Sequence, residues 1–403
     1  MWNKDFLLFV LGLELQLIAK TLIRFALPLY VLIETGNPAL MGLVLSISAL
    51  PLIILSPIGG ALSDRFSKKK LLATMNGLSA AVIAGYFALN PAEGLVVVIL
   101  LIMMAIAVLE SFITPTTEAS VPFLVPTDQL VKANSVTFLL TNFSSIGAPV
   151  LGGFILQNFG LKEVLIAIAV FYGLASLINL LVNIPVVAKE PQVAGGNPVS
   201  GLIKDVMAGI VFVTKENKPL GKMIFIVFFL AVTMITSMTI AVPTLMVTYL
   251  DMPEYQIGIS QGIVVAGGTL AAVILPMLKG KASYKTSRLL LMIPSLVIVL
   301  TGVLLLANDQ LIMSYVILVT CFFIVQIFLT MYGVIYFSFL GERTPPEAMG
   351  KVMGLAISSS VLGFALGDFL HGILFNVFSG TPGIALLVLG GFSILIAINA
   401  KID

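Results

Sequence analysis

Six acidic or basic side chains (Asp, Glu, Lys, Arg or His) lie within long apolar stretches of this sequence, where a charge is difficult to accommodate. They are Glu14, Lys20, Arg24, Glu110, Asp368 and His371. A charged side chain at the centre of a bilayer costs about 2.5–3.5 kcal/mol on insertion scales, so each is a functional candidate. Because burial disfavours the charged form of a carboxyl group, such a group can bind and release a proton near neutral pH. The chemistry that these residues predict is proton transfer and charge pairing.

Glu14 and Glu110 are the leading candidates for proton carriers. At a rise of 1.5 Å per residue, both are expected in the inner half of the membrane. Asp368 and His371, which share one helix face, are the other proton-coupling candidates and are expected in the outer half, near the depth of Lys20. There they can contact the cations of the first stretch and close a gate. The alternative is that these charges only neutralise one another within the packing.

Gln16, Lys20 and Arg24 recur every fourth residue and share one stripe of a helix. Together with Asn142 and Gln326, they are the candidate residues of a substrate cavity. The two cations have two explanations: acidic partners neutralise them, or the substrate carries an anionic group. A neutral polar side chain such as Gln326 serves equally well as a hydrogen bond between helices.

The composition of the 403 residues is that of an integral membrane protein. Hydrophobic residues make up 59% and charged residues 10%, whereas a soluble domain carries about 25% charged residues. This excludes a soluble enzyme, and a net charge of +2 leaves no basic surface for nucleic acid. One cysteine and one histidine exclude a disulfide framework and a cysteine- or histidine-rich metal site. We expect neither a metal nor a cofactor.

Twelve stretches reach the roughly 20 apolar residues that a membrane-spanning helix needs. They cover residues 6–33, 39–62, 71–89, 95–116, 135–158, 164–187, 223–247, 257–278, 289–306, 310–337, 352–378 and 381–400. If both termini are cytoplasmic, all but three of the 21 Lys and Arg residues fall in inner segments. Because cytoplasmic loops retain Lys and Arg, we predict that both termini face the cytoplasm.

The two halves of the sequence resemble each other. One shift along the chain aligns Pro126 with Pro345 and Gly153 with Gly372. The same shift places Thr233 opposite Glu14, so the second half lacks the charge cluster of the first. Repeated halves of like orientation are typical of transporters that rock about a site at the membrane midplane.

This repeat predicts three parts of the chain. We expect a six-helix bundle at 1–187, a cytoplasmic linker at 188–222 and a second six-helix bundle at 223–403. Within the linker, residues 199–214 have apolar side chains at helical spacing. That pattern is typical of an amphipathic helix on the inner membrane surface, and a partner-binding element is the alternative.

The segment after the second apolar stretch reads GALSDRFSKKK (Gly60–Lys70). It resembles the G-x-L-x-D-R-x-G-R-K signature of the major facilitator superfamily, with Ser67 where glycine is usual. The resemblance implies a conformational-switch loop, whose residues are Gly60, Asp64, Arg65, Lys68 and Lys69. The alternative is an anchor of positive charge at the inner membrane surface, with no moving part.

Two further segments narrow the resemblance. GAPVLGG (Gly147–Gly153) is similar to the G-P-x-x-G-G antiporter signature of drug-exporting members, from which it differs at Ala148. The motif residues are Gly147, Pro149, Gly152 and Gly153. The alternative is that these residues only allow ordinary close packing between helices. The segments Phe112–Ser135 and Glu342–Gly354 resemble the macrolide-efflux-like branch of the drug:proton antiporters.

The resemblance implies an all-α fold of twelve transmembrane helices in two six-helix pseudo-repeats, placed in the bacterial cytoplasmic membrane. It also implies export of hydrophobic or amphiphilic small molecules in exchange for protons. Because the twelve spans are self-contained, we expect a monomer. A buried carboxylate can also serve Na⁺, so the coupling ion stays open. An uptake symporter, a lipid or organic-anion transporter and a non-transporting receptor are the alternatives. The sequence has no phosphate-binding G-x-x-x-x-G-K-[ST] loop to support an ATP-driven pump.

Overall fold

The computed structural model describes residues 3–89, 94–185, 207, 210–277, 287–308 and 310–400. In this part of the chain, twelve helices are long and apolar enough to cross a membrane, which confirms the predicted number. They are α1 (Lys4–Thr35), α2 (Pro38–Arg65), α3 (Lys68–Leu89), α4 (Leu95–Leu124), α5 (Leu130–Phe159), α6 (Leu161–Leu181), α7 (Lys218–Tyr249), α8 (Glu254–Met277), α9 (Ser287–Leu306), α10 (Leu311–Arg343), α11 (Pro346–Val377) and α12 (Pro382–Asn399). Most of the predicted amphipathic segment at 199–214 lies outside the described residues.

Several helix ends differ from the prediction by five residues or more, among them the beginnings of α5, α7 and α11 and the end of α10. The ends of α4 and α6 differ for opposite reasons. α4 continues past the predicted end at 116 to Leu124, although it contains Pro115 and Pro122. A membrane-spanning helix tolerates such prolines, because neighbouring helices and nearby hydroxyl groups form hydrogen bonds with the backbone groups that the prolines leave unpaired. α6 ends at Leu181, short of the predicted 187, because Val182 is extended and Pro185 follows.

Polar side chains and one glycine define how the first helices begin and end. Asn3 Oδ1 accepts from Phe6 N at 2.7 Å, and Asn37 Oδ1 accepts from Ala39 N at 2.9 Å, so both residues cap helix N-termini. Gly160 has a φ of 99° and separates α5 from α6. A residue with a side chain rarely adopts that conformation, which explains the short connection there.

Packing divides the chain into two compact units. One comprises Met1–Val31, Ile47–Ala194 and Pro253–Ile259, and the other comprises Leu32–Ser46, Gly195–Met252 and Ser260–Asp403. The first unit thus takes in the beginning of α8, and the second takes in the end of α1 and the beginning of α2. The division of the chain at 187 and 223 stays a prediction.

The N-terminal part of α1 is fixed by an apolar core within the first unit. Phe6, Phe9 and Leu13 of α1 pack in one buried cluster with Leu72 of α3 and Ile113 of α4. This packing sets the rotation of α1 about its axis and therefore the directions in which its charged residues point.

In the first unit, α5 and the beginning of α8 approach each other through glycines. A Cβ on Gly153 would collide with the carbonyl oxygen of Glu254, and a Cβ on Gly258 would collide with that of Pro149. Only glycine permits this separation, because the backbones touch directly.

The second unit contains a matching contact between the beginning of α2 and α11. A Cβ on Gly42 would collide with the carbonyl oxygen of Asp368, and a Cβ on Gly372 would lie 2.7 Å from Pro38 O. Gly372 aligns with Gly153 in the sequence repeat. The repeat therefore preserves a close backbone contact in both units.

α7 departs from regular helical geometry. Three five-residue turns, Ala231–Ile235, Ser237–Ala241 and Leu245–Tyr249, have the wider π-helical hydrogen bonding. Hydroxyl groups bond to the backbone in this region, as Ser237 Oγ does to Thr233 O at 2.6 Å. Such turns occur frequently at functional sites.

Two glycines of α5 give a matched test of the backbone contact. Gly153→Ala adds a methyl group where Glu254 leaves no room, so we expect it to lower stability by about 1–3 kcal/mol. Nothing lies within 4 Å of a Cβ on Gly147. Gly147→Ala should therefore unfold at the wild-type temperature or slightly above it. Thermal unfolding of the purified variants in one detergent compares them, and equal transitions would contradict the contact.

Candidate functional site

The charge cluster of the first unit is centred on an ion pair between α1 and α4. Lys20 Nζ lies 3.0 Å from Glu110 Oε2, and 27% of the lysine side chain is exposed against 5% of the glutamate side chain. The prediction that these two residues lie at different depths is wrong. Because α4 extends to Leu124, Glu110 stands near the middle of its helix, as Lys20 does in α1.

Two hydroxyl groups complete the surroundings of the Glu110 carboxylate. Tyr172 OH of α6 donates to Oε1 at 3.0 Å, and Thr114 Oγ1 donates to Oε2 at 3.5 Å. Lys20 Nζ also donates to Thr114 Oγ1 at 3.4 Å. Both carboxylate oxygens therefore have partners, as buried polar groups require, and three helices meet at this residue.

Glu14 has different surroundings from Glu110. Ser144 Oγ of α5 donates to Glu14 Oε1 at 2.9 Å. Its other oxygen, Oε2, is buried and has no hydrogen-bond partner among the described residues. A buried acceptor without a donor costs about 1–3 kcal/mol. Glu14 is thus the carboxylate whose hydrogen bonding is incomplete.

The stripe of Gln16, Lys20 and Arg24 runs from a buried to an exposed position. Gln16 is 3% exposed, Lys20 is partly exposed, and Arg24 is exposed. Of the three, Lys20 has the acidic partner. The stripe therefore does not form one continuous polar contact.

The remaining cavity candidates have other hydrogen-bond and packing partners. Asn142 is half-buried, and its Nδ2 donates to Phe138 O of its own helix at 2.8 Å. Gln326 of α10 packs in the second unit against α8, where a Cβ on Gly268 would lie 3.1 Å from Gln326 Nε2. Gln326 therefore packs closely against a neighbouring helix, and its place in a substrate cavity stays a prediction.

Asp368 and His371 are both buried in α11 of the second unit. His371 Nδ1 lies 2.9 Å from Gly367 O, while Nε2 lies 3.0 Å from Ser237 Oγ and 3.1 Å from Thr233 O. The imidazole thus joins α11 to the widened turns of α7. The predicted contact of this pair with the cations of α1 stays a prediction.

The four residues of the antiporter-like motif have different neighbours. Gly147 faces open space, whereas a Cβ on Gly152 would lie 3.0 Å from Leu22 Cδ2 of α1. Gly153 and Pro149 contact the beginning of α8, as described above. The motif therefore lets α5 approach two helices on two sides.

The predicted switch loop lies at the end of α2 and the start of α3. The side chains of Asp64 and Arg65, and the surroundings of Gly60, lie outside the described part. Lys68 Nζ donates to Ser63 O at 3.3 Å and lies 4.8 Å from the centre of the Phe123 ring. Lys69 is half-buried. The switch role of the loop stays a prediction.

Sequence reasoning missed the hydroxyl partners of the two glutamates. Thr114, Ser144 and Tyr172 are neutral residues whose position in apolar stretches was the available signal. It also missed Tyr332 and Tyr336 of α10, whose hydroxyls are buried without a hydrogen-bond partner among the described residues. In this same part of the chain, no group of three or more His, Cys, Asp or Glu side chains could hold a metal ion.

Comparison with known proteins places the chain among transporters. The sequence model of the Major Facilitator Superfamily matches residues 9–368. Enterobactin exporter EntS of Escherichia coli O127:H6 is 23% identical over 394 residues, which cover 96% of this chain and 90% of the relative. Macrolide efflux protein A of Streptococcus pyogenes is 24% identical over 380 residues, which cover 92% of this chain and 89% of the relative.

Solved structures show the same fold at low sequence identity. Nucleoside transporter NupG has a TM-score of 0.75 at 15% identity, with 99% of this chain and 98% of that chain covered. The D-xylose-proton symporter has a TM-score of 0.75 at 15% identity, with 98% and 96% covered. A bacterial homologue of the iron transporter ferroportin, in an inward-facing state, has a TM-score of 0.71 at 15% identity, with 98% of both chains covered.

The Lys20–Glu110 pair can be tested by a double-mutant cycle. Lys20→Met or Glu110→Met alone leaves one charge without its partner, and breaking a buried pair costs about 3 kcal/mol. The double variant removes both charges, so we expect it to regain most of that stability. Thermal unfolding in detergent measures the cycle, with Glu118→Met at an exposed position of α4 as the control. Additive losses would contradict the pair.

Proposed function

The chain belongs to the major facilitator superfamily, and we propose that it is a proton-coupled exporter of hydrophobic or amphiphilic small molecules. Family and fold make it a transporter of small molecules rather than an enzyme. With twelve membrane-spanning helices among its described residues and bacterial efflux relatives, it is a multi-pass protein of the bacterial cytoplasmic membrane.

The direction of transport is proposed from the two relatives. An enterobactin exporter and a macrolide efflux protein both align over more than nine-tenths of the chain. The similar fold of the D-xylose-proton symporter supports uptake as the second candidate. Export is preferred because the relatives detected by sequence share it.

Glu14 is the proposed proton carrier, and its incomplete hydrogen bonding is the observation that carries this choice. Ser144 donates a hydrogen bond to one carboxylate oxygen of Glu14. The other oxygen can bind a proton without breaking an existing hydrogen bond. In Glu110, by contrast, Lys20, Thr114 and Tyr172 already contact the two oxygens, and a proton would remove the charge that pairs with Lys20. We therefore assign Glu110 the role of counter-ion to Lys20.

The proposed conformational cycle is rocker-switch alternating access. The glycine contacts of α5 with α8 and of α2 with α11 are direct backbone contacts. Such a contact forms or breaks as a whole and does not stretch gradually. If both termini are cytoplasmic, these contacts lie at the outer end of the helices. Asp368 and His371 belong to the same end of α11 and are proposed to stabilise its closed arrangement through α7. The Gly60–Lys70 loop is proposed to act at the inner end.

The proton carrier can be tested in liposomes with an acidic interior, by following internal pH as lipophilic compounds are added. Wild-type protein should release protons when a transported compound is present, and Na⁺ should not replace the pH gradient. Glu14→Gln removes the titratable group without changing its size. It should abolish at least about nine-tenths of the coupled release, while downhill movement of the compound continues.

Glu118→Gln, at an exposed position of α4, is the matched control and should keep full coupling. Full coupling in Glu14→Gln would refute its role, and loss in Glu110→Gln alone would transfer that role to Glu110. If no compound causes proton release and a sodium gradient drives transport instead, the coupling ion is not the proton.

A further inference from the structure

We propose that Arg24 binds an anionic group of the transported molecule, so that the cargo is an amphiphilic anion. The inference rests on the proposed transport function and names the chemical class of its substrate. Four observations support it: the pairing of Lys20, the solvent access of Arg24, its distance from Glu14 and the arrangement of neighbours around α1.

The first observation is that the acidic group beside Lys20 already has its partners. Glu110 Oε1 accepts from Tyr172, and Glu110 Oε2 accepts from Lys20 and Thr114. The charges of Lys20 and Glu110 therefore compensate each other. Arg24, one helical turn after Lys20, adds a positive charge that this pair does not neutralise.

The second observation is that Arg24 is exposed and has no acidic partner among the described residues. It stands only about 7 Å along the axis from the middle of α1. A guanidinium that faced hydrocarbon at such a depth would cost about 2.5–3.5 kcal/mol on insertion scales. Exposure without a partner is therefore explained by contact with water.

The third observation is that Glu14 is too far away to compensate Arg24. The two residues are separated by ten positions, or about 15 Å along the helix axis. They also differ by about 80° in direction around it. An arginine side chain cannot span this distance, so within α1 the cation remains available for a ligand.

The fourth observation is the set of neighbours around α1 within the first unit. Gly12 faces Asn179 of α6, Leu22 faces Gly152 of α5, and Lys20 faces α4. These contacts cover three directions around the helix. Arg24 points about 40° away from the Lys20 direction, on the side opposite the α5 contact.

Glu14 and Thr21 lie between the directions of Lys20 and Leu22, on the same side of α1 as Arg24, and Ser144 of α5 contacts Glu14 at the edge of this side. We call this the open face of α1. It carries the proposed proton site and the proposed anion site about 15 Å apart. A transported molecule with one acidic group and an apolar body can bind the Arg24 guanidinium without breaking any ion pair of the protein.

An anionic cargo also suits export energetically. An anion that leaves a cell with a negative interior gains about 2.3 kcal/mol per elementary charge per 100 mV. Exchange for an incoming proton moves a second charge in the favourable direction. Transport of a monoanion against one proton would therefore respond to membrane potential as well as to the pH gradient.

The charge of the open face can be measured without knowing the cargo. Thr21→Cys, in a Cys321→Ala background, places a single thiol three residues from Arg24 and therefore beside it on the helix. The probes are a negatively charged sulfonatoethyl and a positively charged trimethylammonioethyl methanethiosulfonate. The protein is reconstituted in vesicles of zwitterionic lipid. The ratio of their reaction rates, relative to free cysteine, reports the local electrostatic potential.

With Arg24 present, the anionic reagent should be favoured. Arg24→Gln should lower the rate ratio by about tenfold, the effect of about 1.4 kcal/mol of lost electrostatic interaction, and Arg24→Lys should restore it. A ratio that does not respond to Arg24→Gln would overturn the proposal. So would a thiol that neither reagent reaches, because the face would then be covered by lipid or protein.

Two further arms separate the possible sources of the anion. If a lipid phosphate occupies Arg24, adding anionic lipid to the vesicles should abolish the dependence of the rate ratio on Arg24, which would refute a cargo site. The transport arm compares 8-anilino-1-naphthalenesulfonate with its uncharged parent, N-phenyl-1-naphthylamine. The proposal requires that the sulfonate moves faster than the parent and that Arg24→Gln removes the difference.

Equal transport of the two compounds, or transport of neither, would count against an anionic cargo. The thiol reaction needs no transport, so it can succeed even where proton-coupled export by this chain is refuted. Conversely, proton release in the liposome assay with uncharged compounds would support export while refuting an anionic cargo. The two proposals can therefore fail independently.

Discussion

The ion pair between Lys20 and Glu110 is the interaction on which the arrangement of the first unit depends. In a medium without water, a carboxylate and an ammonium group must form an ion pair or lose their charges. The pair fixes α1 against α4, and Tyr172 adds α6 by donating to the same carboxylate. Because Glu110 already has these partners, the other charged residues of α1 are the ones that remain for transport. Glu14 and Arg24 stand out because the central pair needs neither of them.

Backbone contact complements this electrostatic constraint. Helices in a membrane gain little from hydrophobic association, so close van der Waals packing decides which of them stay together. Gly153 and Gly258 bring α5 and α8 together, and Gly42 and Gly372 do the same for α2 and α11. The ion pair of Lys20 with Glu110 lies in the first unit, whereas the backbone contacts recur in both units. The two halves of the sequence thus share this packing and do not share the ion pair.

Much of the fold could be predicted from the sequence, because span length and hydrophobicity alone determine the twelve helices. The partner of Lys20 could not, since depth estimates depend on helix ends, and α4 continues through Pro115 and Pro122. The hydroxyl partners Tyr172 and Ser144 are fixed only by how α6 packs against α4 and how α5 packs against α1. Likewise, periodicity gave no sign that His371 would join α11 to α7. Local pattern identifies elements, whereas tertiary packing selects the contacts between them.

The π-helical turns of α7 have a consequence for how the two halves can be aligned. Each such turn accommodates one residue more than an α-helical turn, and an added residue rotates everything after it by roughly 100°. Three of them follow one another in α7, which is otherwise as long as α1. Residues that correspond letter by letter, such as Lys20 and Thr239, therefore need not face the same direction. A residue-by-residue comparison of α7 with α1 therefore does not predict which side chains of α7 share a direction with those of α1 beyond the first widened turn.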